Sequence, residues 1–112
     1  MGRRSIPVSS EPLFEVVSKL NRRIRVNKSY WDYIVNVKHP SMRGLDEFVK
    51  SSLTEPVEVR RSKRDQSVHL HYGKFEAKLL VCTVVKFLNG DGFVITAYLT
   101  RRMIGDSIWK RK

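Results

Sequence analysis

An α+β fold, with two helices packed on a four-stranded antiparallel meander, is the architecture this sequence predicts. Three observations carry that prediction. Four strand-like runs fill the second half, at residues 57–61, 68–72, 79–87 and 93–100. The breaks between them are short and rich in turn residues, and short links favour antiparallel neighbours because a parallel pair needs a long crossover. Two stretches of helical apolar spacing come before the strands. Helices would then cover one face of the sheet and leave the other face open.

The elements follow in chain order. Residues 1–10 are expected to form a flexible arm, and residues 11–112 a single domain. The runs 13–20 and 24–27 flank Asn21-Arg22-Arg23 and predict a short N-terminal hairpin. Asn27 suits the N-cap of a helix over 28–38, whose apolar side would carry Tyr30, Trp31, Ile34, Val35 and Val37. His39-Pro40 ends it, since the residue before a proline disfavours helical geometry. Gly44 opens a second helix over 45–53, with Leu45, Phe48, Val49 and Leu53 at helical spacing, and Pro56 marks its end. Asn89-Gly90-Asp91-Gly92 is the clearest hairpin turn of the chain. If Asn89 and Gly92 flank a two-residue turn, Thr83 faces Tyr98 and Val85 faces Thr96.

A length of 112 residues fits one domain. A chain this size buries roughly two-thirds of its unfolded surface. There is no apolar run of about 18 residues, so no membrane partner is expected. Met1-Gly2-Arg3-Arg4 is not followed by an apolar segment or a small-residue cleavage site, and Ile6 stands where a myristoylation signal needs Ser or Thr. Cys82 is the single cysteine, which suits a reducing cytoplasm.

Charge gives the strongest hint of a partner. Twenty-two Lys and Arg stand against eleven Asp and Glu, a formal net charge of +11. The excess concentrates in Arg22-Arg23-Ile24-Arg25, in Arg60-Arg61-Ser62-Lys63-Arg64 and in Trp109-Lys110-Arg111-Lys112. A polyanion, RNA foremost, is the expected ligand.

The last strand-like run alternates. Phe93, Ile95, Ala97 and Leu99 share one face, and Val94, Thr96, Tyr98 and Thr100 the other. Three hydroxyls in a row, set in so basic a chain, suit a surface that handles phosphate. Other chemistries find less support. His69-Leu70-His71 puts two imidazoles on one strand face, but a zinc site needs three or four ligands, and Cys82 and His39 are the only other soft donors. No metal and no cofactor is expected. Cys82 reads as a small buried hydrophobe rather than a nucleophile. Glycine-rich phosphate loops, nucleophile elbows and paired carboxylates are missing from the strand region.

Metal-free phosphodiester chemistry is what remains. RNA can be cleaved by its own 2′-hydroxyl, given a base, an acid and cations on the developing charge. His39 and Tyr98 are candidates for the proton work, Thr96 and Thr100 for the phosphate oxygens. Arg60 and Arg61 are adjacent, so only one of them can face the site. Each has a plainer alternative: a helix-end histidine on backbone carbonyls, a packed tyrosine, threonines favoured in strands. Tyr72 shares a face with Val68 and Leu70, which suits a core residue.

A wider pattern runs through Ile24-Arg25-Val26, Tyr30-Trp31-Asp32-Tyr33-Ile34, His39-Pro40, Leu53-Thr54-Glu55-Pro56-Val57-Glu58-Val59, Arg60-Arg61-Ser62, Val68-His69-Leu70-His71-Tyr72 and Gly92-Phe93-Val94-Ile95-Thr96-Ala97-Tyr98. Over residues 13–109 it resembles the phage-type branch of the barnase, EndoU, colicin and RelE nuclease superfamily. The resemblance implies a metal-independent endoribonuclease, in a toxin role, with an acidic antitoxin protein as a second partner. It places the site at His39, Arg60 or Arg61, Tyr72, Thr96 and Tyr98. His39 would act as base or acid, Tyr98 as the complementary group, Arg60 or Arg61 as the phosphate clamp, and Thr100 and Lys63 as further phosphate contacts. A non-catalytic basic nucleic-acid-binding module explains the same charge, with Tyr30, Trp31, Tyr98 or Trp109 stacking on bases. A partner-binding domain that meets an acidic protein is the third reading.

Overall fold

A computed structural model of the chain describes residues 11–112, so the arm expected at 1–10 lies outside the described residues. Seven strands form one mixed sheet: β1 Pro12–Val17, β2 Arg23–Asn27, β3 Glu58–Arg61, β4 Val68–Glu76, β5 Leu79–Leu88, β6 Asp91–Thr100 and β7 Asp106–Lys110. Their spatial order is β1-β2-β6-β5-β4-β3-β7. The expected four-stranded meander under two helices is therefore wrong as an architecture. The runs foreseen as its strands occupy the middle of the sheet, and three more strands extend it at both edges.

At one edge the N-terminal hairpin is present, with β1 antiparallel to β2 and Asn21 in the left-handed region at φ 63°. The hairpin does not stand apart. β2 runs parallel to β6 through two pairs only, Ile24 with Gly92 and Arg25 with Phe93. At the other edge β7, read from sequence as part of a basic tail, pairs antiparallel with β3.

The central hairpin turns on Asn89-Gly90, with φ of 54° and 89°, and Leu88 faces Asp91. Left-handed geometry at both central positions is what an Asn-Gly turn supplies. Next to this turn the pairing lies two residues from the expected register, and beyond a bulge it is off by one. Cys82 faces Tyr98 and Val84 faces Thr96, while Thr83 faces Ala97. That bulge leaves Ile95 without a partner in β5, because Val85 already pairs with Val94.

Two short helices cover one face of the sheet. α1 is Lys28–Tyr33 and continues as a π-helical turn, Ile34–Lys38, before a 3-10 turn, Pro40–Met42. Asn27 holds the N-cap position with extended geometry, but its side chain makes no capping bond. Trp31, Ile34 and Val35 are buried in the main core with Phe14, Ile24, Val26, Met42, Val81, Val85 and Ala97. Val37, expected on that apolar side, is exposed. α2, Asp46–Thr54, adds Val49 and Leu53 to the same core. It sits tightly on β4 at Gly73, where an added Cβ would stand 2.8 Å from both Cα and Cβ of Ser52. The Ser52 hydroxyl donates to the Val49 carbonyl at 2.6 Å. It therefore accepts from Thr83, whose hydroxyl lies 2.7 Å away.

The opposite face is not open as expected. Residues 101–105 run across it as a strap from β6 to β7. Met103 joins a second cluster with Leu70, Tyr72, Cys82 and Val84, and the Ile104 N–H donates to the Tyr72 hydroxyl at 3.0 Å. The strap is short. On a flat sheet the pairing register would set Thr100 and Asp106 roughly 25 Å apart, from four strand spacings across and five residues along. Six Cα steps reach only about 20 Å. The sheet must twist and curl for the strap to cross it. Gly105, at φ 89°, makes the last turn, where a side chain would strike the Arg61 carbonyl at 2.6 Å. Among the described residues no helix is long and apolar enough to cross a membrane.

Candidate nucleic-acid interface

Beyond Phe93, β6 loses its parallel neighbour, and the helical segment comes alongside instead. The π-helical turn closes with the His39 N–H on the Ile34 carbonyl at 2.7 Å. A π turn carries one more residue than an α turn, so the next side chain is shifted around the axis. His39 is thereby brought to β6, where its ring centroid lies 5.6 Å from that of Tyr98. These two residues are far apart in sequence, and the fold brings their rings together.

Other groups line the same edge. The carbonyl of the bulged Ile95 accepts from the Tyr30 hydroxyl and from Lys38 Nζ, both at 2.9 Å. Lys38 Nζ also lies over the rings of Tyr30 and Tyr33, at 5.7 and 5.6 Å. Toward the start of β6, the Arg25 guanidinium stands 5.1 Å over Phe93 and 3.5 Å from Asp91. At its end, the backbone N–H of Arg102 donates to the Thr100 hydroxyl at 3.2 Å, next to Arg101, and both arginines are exposed. A row of cations and aromatics thus follows β6 over roughly 17 Å from Phe93 to Tyr98.

Where β2 and β6 part, a cavity of about 300 Å³ opens, lined by Arg25, Val26, Asn27, Tyr30, Phe93 and Ile95 among others. The sequence reading missed it. The Arg25-Val26-Asn27 run was legible as a strand end, but nothing in it announced that a parallel partner would diverge there.

The remaining expected site residues lie elsewhere. Tyr72 is fully buried beneath the strap, and burial pushes its hydroxyl up to about 12. Tyr98 is half-buried with its hydroxyl in hydrogen-bonding reach of Cys82 and Tyr72. Burial first, and those neighbours second, push it well above its ordinary value. Tyr98 therefore stays protonated, with its hydroxyl turned toward the strap-covered cluster and its ring toward His39. Cys82 is fully buried and its thiol is pushed up to about 11 by burial, so it is not an available thiolate. The Thr96 hydroxyl is buried without a hydrogen-bond partner.

Of the two arginines, Arg60 shares the strap-covered face with Tyr72 and Leu70, and Arg61 pairs with His69 on the other face. Arg60 Nε binds Glu58 at 2.9 Å and its Nη1 donates to the Gly105 carbonyl at 3.3 Å. Burial raises the Glu58 carboxyl, yet hydrogen bonds from Ser107 and Arg60 and the charges of Arg60 and Lys110 hold it below the usual value. Arg60 is thus a structural partner of the strap, three strands from Tyr98. Lys63 faces Asp106 at 3.4 Å near the start of β7. The predicted clamp does not gather around His39. Trp31, expected as a stacking platform, is buried in the core.

His69 and His71 lie 6.3 Å apart, and among the described residues no third potential ligand joins them into a metal-holding group. No family model matches the chain, and no match was found among the curated proteins or the solved structures.

Proposed function

We propose that the protein binds single-stranded RNA along the β6 edge. The observation that carries this reading is the row formed by Arg25 with Phe93, Lys38 with Tyr30, and His39 with Tyr98. Cations attract the backbone and release its counterions, while aromatic faces suit bases of any sequence. Whole-molecule charge points the same way. Among the described residues, six ion pairs engage six of the eleven acids. The cations left over still outnumber the acids left over.

Binding of a labelled unstructured RNA, followed against salt, tests this. The double variant Arg25→Ala, Lys38→Ala is expected to bind more weakly, with the logarithmic salt slope reduced by about one to two. An unchanged slope would remove the β6 edge from the interface.

Cleavage is a second reading, favoured by the approach of His39 to Tyr98. In it His39 takes the 2′-hydroxyl proton, the 2′-oxygen displaces the 5′-oxygen at phosphorus, the protonated His39 returns the proton to that leaving oxygen, and Lys38 meets the charge that develops on the phosphate. This is the metal-independent ribonuclease of the sequence reading, with a different clamp. Incubation with RNA in EDTA should then yield 2′,3′-cyclic phosphate ends, and His39→Ala should abolish them. RNA that is bound but left intact by the unaltered protein would leave binding as the whole function.

A further inference from the structure

Resting on the RNA-binding reading, we infer that the fork between β2 and β6 is a base-recognition pocket that takes an unpaired adenine. Parallel pairing ends at Arg25 and Phe93, and the strands diverge around a cavity of about 300 Å³. That volume is at the small end for ligand sites and suits one base with part of its sugar. The cavity opens onto the middle of the cationic row, since Ile95 belongs to its wall and carries the Lys38 contact.

Its lining has the chemistry of base readout. The rings of Tyr30 and Phe93 offer stacking surfaces. Tyr30 is held by its hydroxyl on Ile95, so one wall is fixed in advance. The polar group free to read an edge is the carboxamide of Asn27. It stands at an N-cap, where a side-chain oxygen ordinarily accepts a backbone N–H of the first turn, and it forgoes that bond. No hydrogen bond engages it among the described residues. A carboxamide presents one donor and one acceptor side by side, the complement of the adenine N6 and N7 edge. Arg25, the side chain suited to guanine, is already committed to Asp91 and Phe93. Adenine is therefore the base that the free group fits.

The test uses the full chain and labelled uridine oligomers that carry one central adenine, guanine or cytosine, beside the all-uridine oligomer. The adenine oligomer is expected to bind about tenfold more tightly than the others, one good bidentate contact. Asn27→Ala should remove that preference and leave the salt slope unchanged. It leaves the fold intact because the side chain makes no capping bond. Phe93→Leu should weaken binding of all four oligomers. Equal binding of all four by the unaltered protein, or a preference that survives Asn27→Ala, overturns the pocket while RNA binding stands. Failure to bind any oligomer at low salt overturns both.

Discussion

His71 points into the helix-covered side of the sheet with both ring nitrogens buried and without a hydrogen-bond partner. The Thr83 backbone lies near enough to soften this only in part, and burial together with the charge of His69 pushes the imidazole down to about 3. His69 is pushed down too, by burial and then by Arg22 and Arg61. The unfolded chain takes up these protons from about pH 6.5 downward, whereas the native state does not. The stability these residues contribute is complete above that value and is lost as pH falls toward 3. Carboxylates held low, Asp65 on Lys86 and Ser67 among them, act only at lower pH. Between pH 7 and pH 5 the unfolding free energy should therefore fall by about 2 kcal/mol from His71 alone. His71→Leu should halve that fall or better, and should stabilise the protein by about 1 kcal/mol at pH 7 by removing two unpaired polar atoms. Urea unfolding of both proteins at the two pH values measures it, and an equally steep acid limb in the variant would refute the assignment.

At the scale of elements, the seat of α2 on β4 is a contact between backbones. Gly73 lets Ser52 approach, and Ser52 then receives the Thr83 hydroxyl across the interface. Gly73→Ala has to push α2 off the sheet and stretch that bond. A loss of about 1–3 kcal/mol is expected, read as a lowered unfolding midpoint, with β4 itself kept. A midpoint equal to the parent's would mean that α2 lifts without cost. These elements were legible in the sequence to different depths. The strand runs and the helix stops could be read because turn residues and Pro mark them sharply, and His39 could be placed at a helix end for that reason. The register could not, because the turn on Asn89-Gly90 moves it by two residues and a bulge at Ile95 then takes back one, which changes its phase. The change of face for Thr83 and Cys82 follows from that single step.

Across the whole molecule, what the sequence hid was topology. A two-residue parallel contact between β2 and β6 leaves no local pattern, and neither does the cavity that it opens. β7 was hidden by composition, since its strand residues Ile108 and Trp109 sit among cations that read as a solvated tail. The candidate site shows the same division. His39, Tyr98 and Thr100 could be named from residue type and period, but the cations that accompany them could not. Lys38 and Arg25 reach β6 through two different connections, while Arg60, the obvious choice by sequence, is drawn to the buried Glu58.

The strap sets an order for biosynthesis. Every strand from β1 to β6 can find its partners once β6 has left the ribosome, but β3 keeps one edge bare until Asp106–Lys110 follows. Until then Tyr72 and Cys82 face water, since Met103 and Ile104 are what cover them. A chain cut after Thr100 would carry a complete β6 beside an unsealed second cluster, so the pairing edge of β3 and the cover of Tyr72 and Cys82 are both supplied by residues 101–110.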